Sequence, residues 1–199
     1  MSAREDILST IRMRRTGARA RPPRYRVPPL AADLLQRFSE RVTAEAAEIR
    51  VLDSLADVPT AVADLLRAHN MAASVHVPPN TEIKSLPWNI AVQLTAPGPN
   101  DAAVAIAPFA IAETGTLVFP SAPDSPVSWH FRPGLEIAVV IAENILPRLE
   151  DVLMRLRQKG HSAHTINLVT GPSRTGDIEQ TLELGAHGPK ALAILVIKG

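Results

Sequence analysis

The sequence predicts an α/β protein: an open, largely parallel sheet flanked by helices, preceded by a helical N-terminal extension. Three observations carry that expectation. Short runs of Ala, Val, Leu and Ile alternate with helix-period segments from residue 48 to the C-terminus, the pattern of strands joined by helical crossovers. The apolar runs are continuous rather than polar-alternating, as in strands buried on both faces. Hydrophobic residues make up 46% of the chain but aromatics only 4%, so the core has to be built from small and aliphatic side chains. The 199 residues suffice for one sizeable domain plus an extension.

Each element follows from its pattern. Ile7, Leu8, Ile11 and Met13 recur at helical spacing within Ala3 to Arg15. Gly17 to Pro29 is rich in Arg and Pro and reads as an extended linker. Leu30 to Ala47 reads as a second helix, with Leu30, Leu34, Leu35 and Phe38 on one face. These pieces define an extension over residues 1–44, able to dock on the domain or on a partner, followed by an α/β domain over 45–199. Within the domain, Glu48 to Leu52 is a strand and Val58 to His69 a helix with Thr60 as its cap. Ala73 to Val77 and Ile90 to Leu94 are short strands. Ala102 to Ile111 and Thr116 to Phe119 flank a turn and suit an antiparallel hairpin. Ser121 to Pro133 is a long Pro-rich loop, Glu136 to Ile141 a buried strand, and Leu146 to Gln158 a helix stopped by Lys159-Gly160. A buried strand at Thr165 to Val169 leads into Gly171-Pro172, then what reads as a helix start; Ala191 to Ile197 is the last strand.

Composition excludes several functions. With no cysteine, the chain forms no disulfide, thiolate metal site, cysteinyl iron–sulfur cluster or cysteine nucleophile. No run approaches the length of a membrane span, and residues 1–15 lack the apolar centre of a signal peptide. A bacterial-type cytoplasmic protein is the expectation. Residues 1–50 hold eleven Arg and six acidic residues, net +5, leaving −4 for the remainder. A solvated arm accounts for this better than a nucleic-acid contact, because no aromatics interleave with the basic residues. Neither a dinucleotide-binding glycine fingerprint nor a P-loop occurs.

Three segments fall at strand ends, where open α/β sheets bind ligands. In Glu113-Thr114-Gly115-Thr116, Gly115 permits a tight turn and Glu113 can serve as general base or nucleophile; the alternative is a turn whose Glu pairs with an Arg. Gly171-Pro172-Ser173-Arg174-Thr175-Gly176-Asp177-Ile178-Glu179 combines hydroxyls, a guanidinium, free N–H groups and two carboxylates. It suits an anion or an ordinary helix cap. Gly185-Ala186-His187-Gly188-Pro189 is a rigid loop that exposes a proton-carrying imidazole, or a polar turn. Trp129 and Phe131, in the Pro-rich loop, are placed to cover a pocket, with Arg132 reaching into it. The histidine pair His161 and His164 reads as fortuitous, and no metal site is expected.

Together, in order and spacing, Ile111 to Val118, Gly171 to Glu179 and Gly185 to Pro189 resemble the LUD domain family, and within it the small cysteine-free lactate-utilisation branch. The resemblance covers about residues 45–199; Gly176 and Ala186 depart slightly from the family's Ala and Val. It implies a fold similar to the glucosamine-phosphate deaminase, ribose-phosphate isomerase and coenzyme A transferase group. It also implies a part in a three-protein system oxidising L-lactate to pyruvate, with iron–sulfur clusters held only by the partner proteins. In that setting Ser173, Arg174 and Thr175 would bind a small carboxylate or phosphate, with Thr114, Gly115, Thr116, Arg132, Glu179 and Gly188 around it. Glu113, Asp177 and His187 are the catalytic candidates, His187 as acceptor of the hydroxyl proton. The alternative is an independent enzyme on a phosphorylated or coenzyme A-linked metabolite with Glu113 as base or nucleophile, a role that rests on fold analogy alone.

Overall fold

A computed structural model describes residues 3–14, 28, 30, 33–78, 81–122, 125–160, 163–175, 183–184 and 188–199. The linker expected over Gly17 to Pro29 falls almost wholly outside them, as do His161, Asp177, Glu179 and His187.

Six strands form one all-parallel sheet: β1 (Glu48–Leu52), β2 (Ser74–His76), β3 (Ala91–Gln93), β4 (Ala102–Ile106), β7 (Leu135–Ile141) and β12 (Ala191–Ile197), in the order β1-β12-β7-β4-β2-β3. The side-chain period of two divides the central strands between two cores. Leu135, Ile137 and Val139 of β7, with Ala193, Leu195 and Ile197 of β12, face helix α3 (Val58–Ala68) and the short α4 (Thr81–Lys84). Ala138 and Val140, with Leu192, Ile194 and Val196, face the other way, toward helix α2 (Leu34–Ala44) and a second sheet.

That second sheet holds β5 (Phe109–Ile111), β6 (Thr116–Pro120), β8 (Ile145–Leu146) and β9 (Ile166–Val169) in the order β8-β5-β6-β9. The expected hairpin is present: β5 and β6 pair antiparallel, Ile111 opposite Thr116. It lies in this smaller sheet rather than in the parallel one. Ala105, Ala107, Ala110, Ala112 and Ala138 line the buried space between the sheets, and their short side chains let the layers approach closely. Helix α6 (Leu149–Gln158) covers the far side, packing Val152 and Leu156 on Phe109, Ile111 and Val118.

Three expectations are corrected. Residues 165–169 are not a buried strand of the parallel sheet: β9 pairs antiparallel with β6 at the edge of the small sheet, leaving Ile166 39% and Leu168 45% exposed. A short apolar run cannot by itself distinguish an edge strand from a core strand. Arg174 and Thr175 do not open a helix but form β10, paired antiparallel with β11 (Glu183–Leu184); Ser, Thr and Asp favour turns as readily as caps. Thr60 lies exposed inside α3. The helix is instead entered through a 3-10 turn at Leu55–Asp57, where Asp57 Oδ2 accepts from both the N–H and hydroxyl of Ser54 at 3.0 Å, and Pro59 occupies the first turn, where no intrahelical donor is lost.

Of the N-terminal helices, α1 (Ala3–Arg14) buries no residue. In contrast, α2 belongs to the packed layer. Asp33 caps it, its Oδ1 accepting from Gln36 N–H at 2.9 Å, which sets the start later than residue 30. Phe38 and Val42, four residues apart on one face, are 0% and 1% exposed. The helix ends where Ala46 turns left-handed (φ 57°) and Ala47 N–H bonds Val42 C=O at 3.2 Å. Phe38→Ala is expected to cost about 3–5 kcal/mol, read as a lowered midpoint in urea; an unchanged midpoint would show that α2 adds nothing to the core.

Candidate functional site

The turn between β5 and β6 is built around Gly115. Its N–H bonds Ile111 C=O at 3.0 Å and its φ is +70°, the left-handed region open to glycine. A Cβ here would lie 2.8 Å from Arg41 Cβ and 2.9 Å from Val42 N, so α2 rests directly on the turn. Glu113 leaves the turn toward Arg148, whose Nε donates to Glu113 Oε1 at 3.2 Å. Arg148 Nη2 also donates to Pro28 C=O at 2.6 Å, and its backbone N–H to Asp151 Oδ2 at 3.1 Å. One arginine thus ties the turn to α6 and to the incoming chain.

Hydroxyls connect this turn to the segment after β9. Thr116 Oγ1 lies 2.6 Å from Thr114 Oγ1 and 2.7 Å from Thr170 Oγ1. Gly171 follows at φ +70°, where a Cβ would meet Glu45 Cβ and O at 2.9 Å. The second and third motifs then meet: Ser173 N–H donates to Pro189 C=O at 2.9 Å, and a Cβ on Gly188 would lie 3.2 Å from Ser173 Cβ and 3.9 Å from Phe131.

Three adjoining hollows run along these contacts. The first, about 510 Å³, is lined by Leu30, Asp33, Gln36, Arg37, Glu40, Glu113 and Arg148. The second, about 500 Å³, is lined by Arg41, Glu45, Glu113, Thr114, Thr116 and Thr170. Glu113 borders both. The third is about 170 Å³, and Thr170 joins it to the second; its walls are Phe131, Leu168 and Val169, and its rim is Gly171-Pro172-Ser173 with Gly188-Pro189. Fixed charge separates them. The first two carry guanidiniums and carboxylates side by side, whereas the third has no ionised lining residue.

Behind the third hollow lies a buried polar pair. Phe131 belongs to the one-turn helix α5 (Ser128–Phe131). Its neighbour His130 is fully buried, stacks on Phe119 with ring centroids 3.8 Å apart, and places Nδ1 3.1 Å from Oε1 of the equally buried Glu136. Ser125 Oγ lies 3.3 Å from His130 Nε2. Oε2 of Glu136 has no hydrogen-bond partner among the described residues. Burial pushes the Glu136 carboxyl above its ordinary 4.5, and the hydrogen bond and charge of His130 only partly offset that.

The structure therefore brings together Glu113, Thr114, Gly115 and Thr116 with Thr170, and, across Thr170, with Ser173 and Gly188. Arg174 is exposed in β10, and Arg132 is exposed at the end of α5; neither lines these three hollows. Trp129 is interior, at 6% exposure. The side chain of Thr175, with Asp177, Glu179 and His187, lies outside the described residues. Among the described residues no three His, Asp or Glu side chains are grouped to hold a metal ion, and no helix is long and apolar enough to cross a membrane. Sequence reasoning missed Arg37, Arg41, Glu45, Arg148 and Thr170, whose places depend on tertiary packing. It also passed over Glu136, although a carboxylate opening an otherwise apolar buried strand is a legible signal.

A parallel sheet backed by a second, smaller sheet, with linked hollows along the turns of that second layer, defines a class of α/β protein. Residues 99–197 match the LUD domain. The fold matches a DUF162 family protein from Deinococcus radiodurans with a TM-score of 0.64 and 23% identity, over 85% of this chain and 99% of that one. Lactate utilization protein C of Bacillus subtilis is 41% identical over 91 residues, 43% of this chain and 38% of that protein. Its namesake in Geobacillus kaustophilus is 31% identical over 117 residues, 55% of this chain and 49% of that protein. The matched segment spans less than half the length of each of these two relatives. Residues 99–197, the second half of the chain, thus carry the fold segment of the LUD domain family.

Close approach at Gly115 gives a direct check. Gly115→Ala is expected to destabilise the protein by about 1–3 kcal/mol, through the left-handed backbone and the contact with α2. Equal urea midpoints for the two proteins would contradict that packing.

Proposed function

We propose that this chain is the component without iron–sulfur clusters in an L-lactate utilisation system that oxidises L-lactate to pyruvate, and that it holds a small carboxylate beside iron–sulfur partner proteins. The observation that carries the reading is the third hollow. At about 170 Å³ it is small for a ligand site, which suits a three-carbon acid better than a nucleotide. Phe131, Leu168 and Val169 give the acid's methyl group an apolar wall, while Thr170 and Ser173 bring hydroxyls to the rim. The hollow's described lining holds no cation; Arg174, which follows Ser173 in sequence and is exposed outside that lining, is the cation assigned to the carboxylate. His187 precedes Gly188 in sequence and is assigned the hydroxyl proton. The names of the relatives, Lactate utilization protein C, support lactate as the acid.

This reading predicts that the gene restores growth on L-lactate to a host whose own copy is deleted, and that Arg174→Ala does so poorly. Losing a hydrogen-bonded charge on the ligand should weaken L-lactate binding about tenfold or more, measured by calorimetry on the purified chain. Turnover of L-lactate with a dye acceptor and no partner protein would overturn the division of labour. Unimpaired growth with Arg174→Ala would remove the assigned cation.

One observation favours a second reading, an enzyme acting on a phosphorylated or coenzyme A-linked metabolite. The two larger hollows, each near 500 Å³, share Glu113. Against it, the Glu113 carboxylate is already engaged by Arg148. If Glu113 is a nucleophile, incubation with acetyl-coenzyme A and then hydroxylamine yields a hydroxamate at that position, detectable by mass spectrometry and lost in Glu113→Gln. The lactate reading predicts no label.

A further inference from the structure

We infer that His130 and Glu136 share a single proton and act as a positioning pair for the third hollow, so that the shape of its Phe131 wall depends on pH. The inference deepens the carboxylate reading only in its last step, the effect on the ligand.

The geometry is that of a knot under the hollow. Glu136 projects from β7 toward the face carrying Ala138 and Val140, opposite Ala103 on β4 and Leu192 on β12 in the strand register. Neither neighbour offers it a polar group from its side chain. One oxygen meets His130 Nδ1 at 3.1 Å, and the other has no hydrogen-bond partner among the described residues. With one shared proton the pair is neutral overall, whether the proton sits on carbon-bound oxygen or on ring nitrogen. Losing that proton leaves a net negative charge on a fully buried pair whose further polar contact among the described residues is the Ser125 hydroxyl, a costly state. The inexpensive relief is to move α5 outward and let water in from the Ser125 side, which is only partly buried.

That movement cannot leave the hollow unchanged. Phe131 is the next residue along α5 and forms the wall beside Gly188. Phe119, stacked on His130, lies opposite Asn167 of β9 and accepts at its C=O from Asn167 Nδ2 at 3.2 Å. β9 in turn supplies Leu168 and Val169 to the opposite wall. Both walls are therefore attached to the same imidazole.

Other charges near the packed elements do not substitute for this pair. Arg132 at the end of α5 and Lys190 before β12 are exposed. Asp101, before β4, faces His76 of β2, with Nε2 to Oδ2 3.3 Å. The β6 strand and the described residues of the Ser125 segment bring no ionisable side chain. The direction is that of the Glu136 carboxyl: burial holds its proton to higher pH than in a free carboxyl, so it is protonated below about 4.5, where a free carboxyl is too, and loses the proton as pH rises through its raised value. Stability and wall geometry change in that same upward window.

The chain has four phenylalanines, at 38, 109, 119 and 131, so incorporation of 4-fluorophenylalanine gives four fluorine resonances, with Phe131→Leu, Phe119→Leu and Phe38→Leu assigning three. In ligand-free protein titrated upward from about pH 5, the Phe119 and Phe131 resonances should shift together with one midpoint while Phe38 stays fixed. In Glu136→Gln, which keeps the shape and carries no titrating proton, both should stop shifting. A Phe131 resonance that does not move with pH in the unsubstituted protein overturns the proposal, and so does a shift that persists in Glu136→Gln. L-Lactate is then added as probe: its affinity should fall across that window and become flat in Glu136→Gln. Coupled resonances without any lactate binding would remove the lactate reading and leave the positioning pair standing.

Discussion

Covering both faces of the parallel sheet is the constraint on which the rest depends. Residues of β7 and β12 point alternately into two cores, so neither face can be left to water without exposing aliphatic surface. One face takes α3 and α4. The core on the other combines alanines with Leu117, Phe119, Leu192 and Ile194, and that face is covered by a second sheet together with α2. Everything of functional interest follows from that second layer. The β5–β6 turn, the β9 edge and the C-terminal half of α2 come together because they jointly close this face. Their backbones approach so closely that Gly115 and Gly171 are required where α2 and the residue after it touch the turns.

The parts of this arrangement that were legible in the sequence are those fixed by local pattern. The α/β class, the parallel sheet, the β5–β6 hairpin and most strand positions could be read from period and turn residues. So could the tight turn at Glu113 to Thr116, because Gly115 supplies the left-handed residue it needs. What escaped was set at a distance. β9 has the composition of a core strand and the place of an edge strand, and only its pairing with β6 distinguishes them. The segment after Pro172 carries cap-forming residues, but at 174–175 it pairs with β11 instead of starting a helix. Arg148 is separated from Glu113 by 35 residues, and no spacing rule connects them. Thr170 is one threonine among many until its hydroxyl is seen against Thr116.

Electrostatics divide the candidate site in a way that composition conceals. The chain as a whole is nearly neutral and its N-terminal quarter strongly basic. Yet around Glu113 the arginines of α2 and α6 are matched by Asp33, Glu40 and Glu45. The small hollow beyond Thr170 has no such mixture; its character is apolar wall and hydroxyl rim. A ligand there would be selected by size and by hydrogen bonds rather than by a broad field, because long-range attraction needs an excess of one sign.

The hydroxyl ladder Thr114–Thr116–Thr170 has a consequence of its own. A hydroxyl has one hydrogen to give and lone pairs to receive with. Thr116, in the middle at 2.6 and 2.7 Å from its neighbours, gives to one and receives from the other. The row therefore has a polarity, and reversing any member reverses the rest. If an acceptor near Glu113 captures the hydrogen of Thr114, Thr116 turns its own toward Thr114 and Thr170 turns its toward Thr116. Thr170 then presents only lone pairs to the small hollow. The orientation of the hydrogen on Thr170 beside the small hollow is thus tied to that on Thr114 beside Glu113, with no backbone movement.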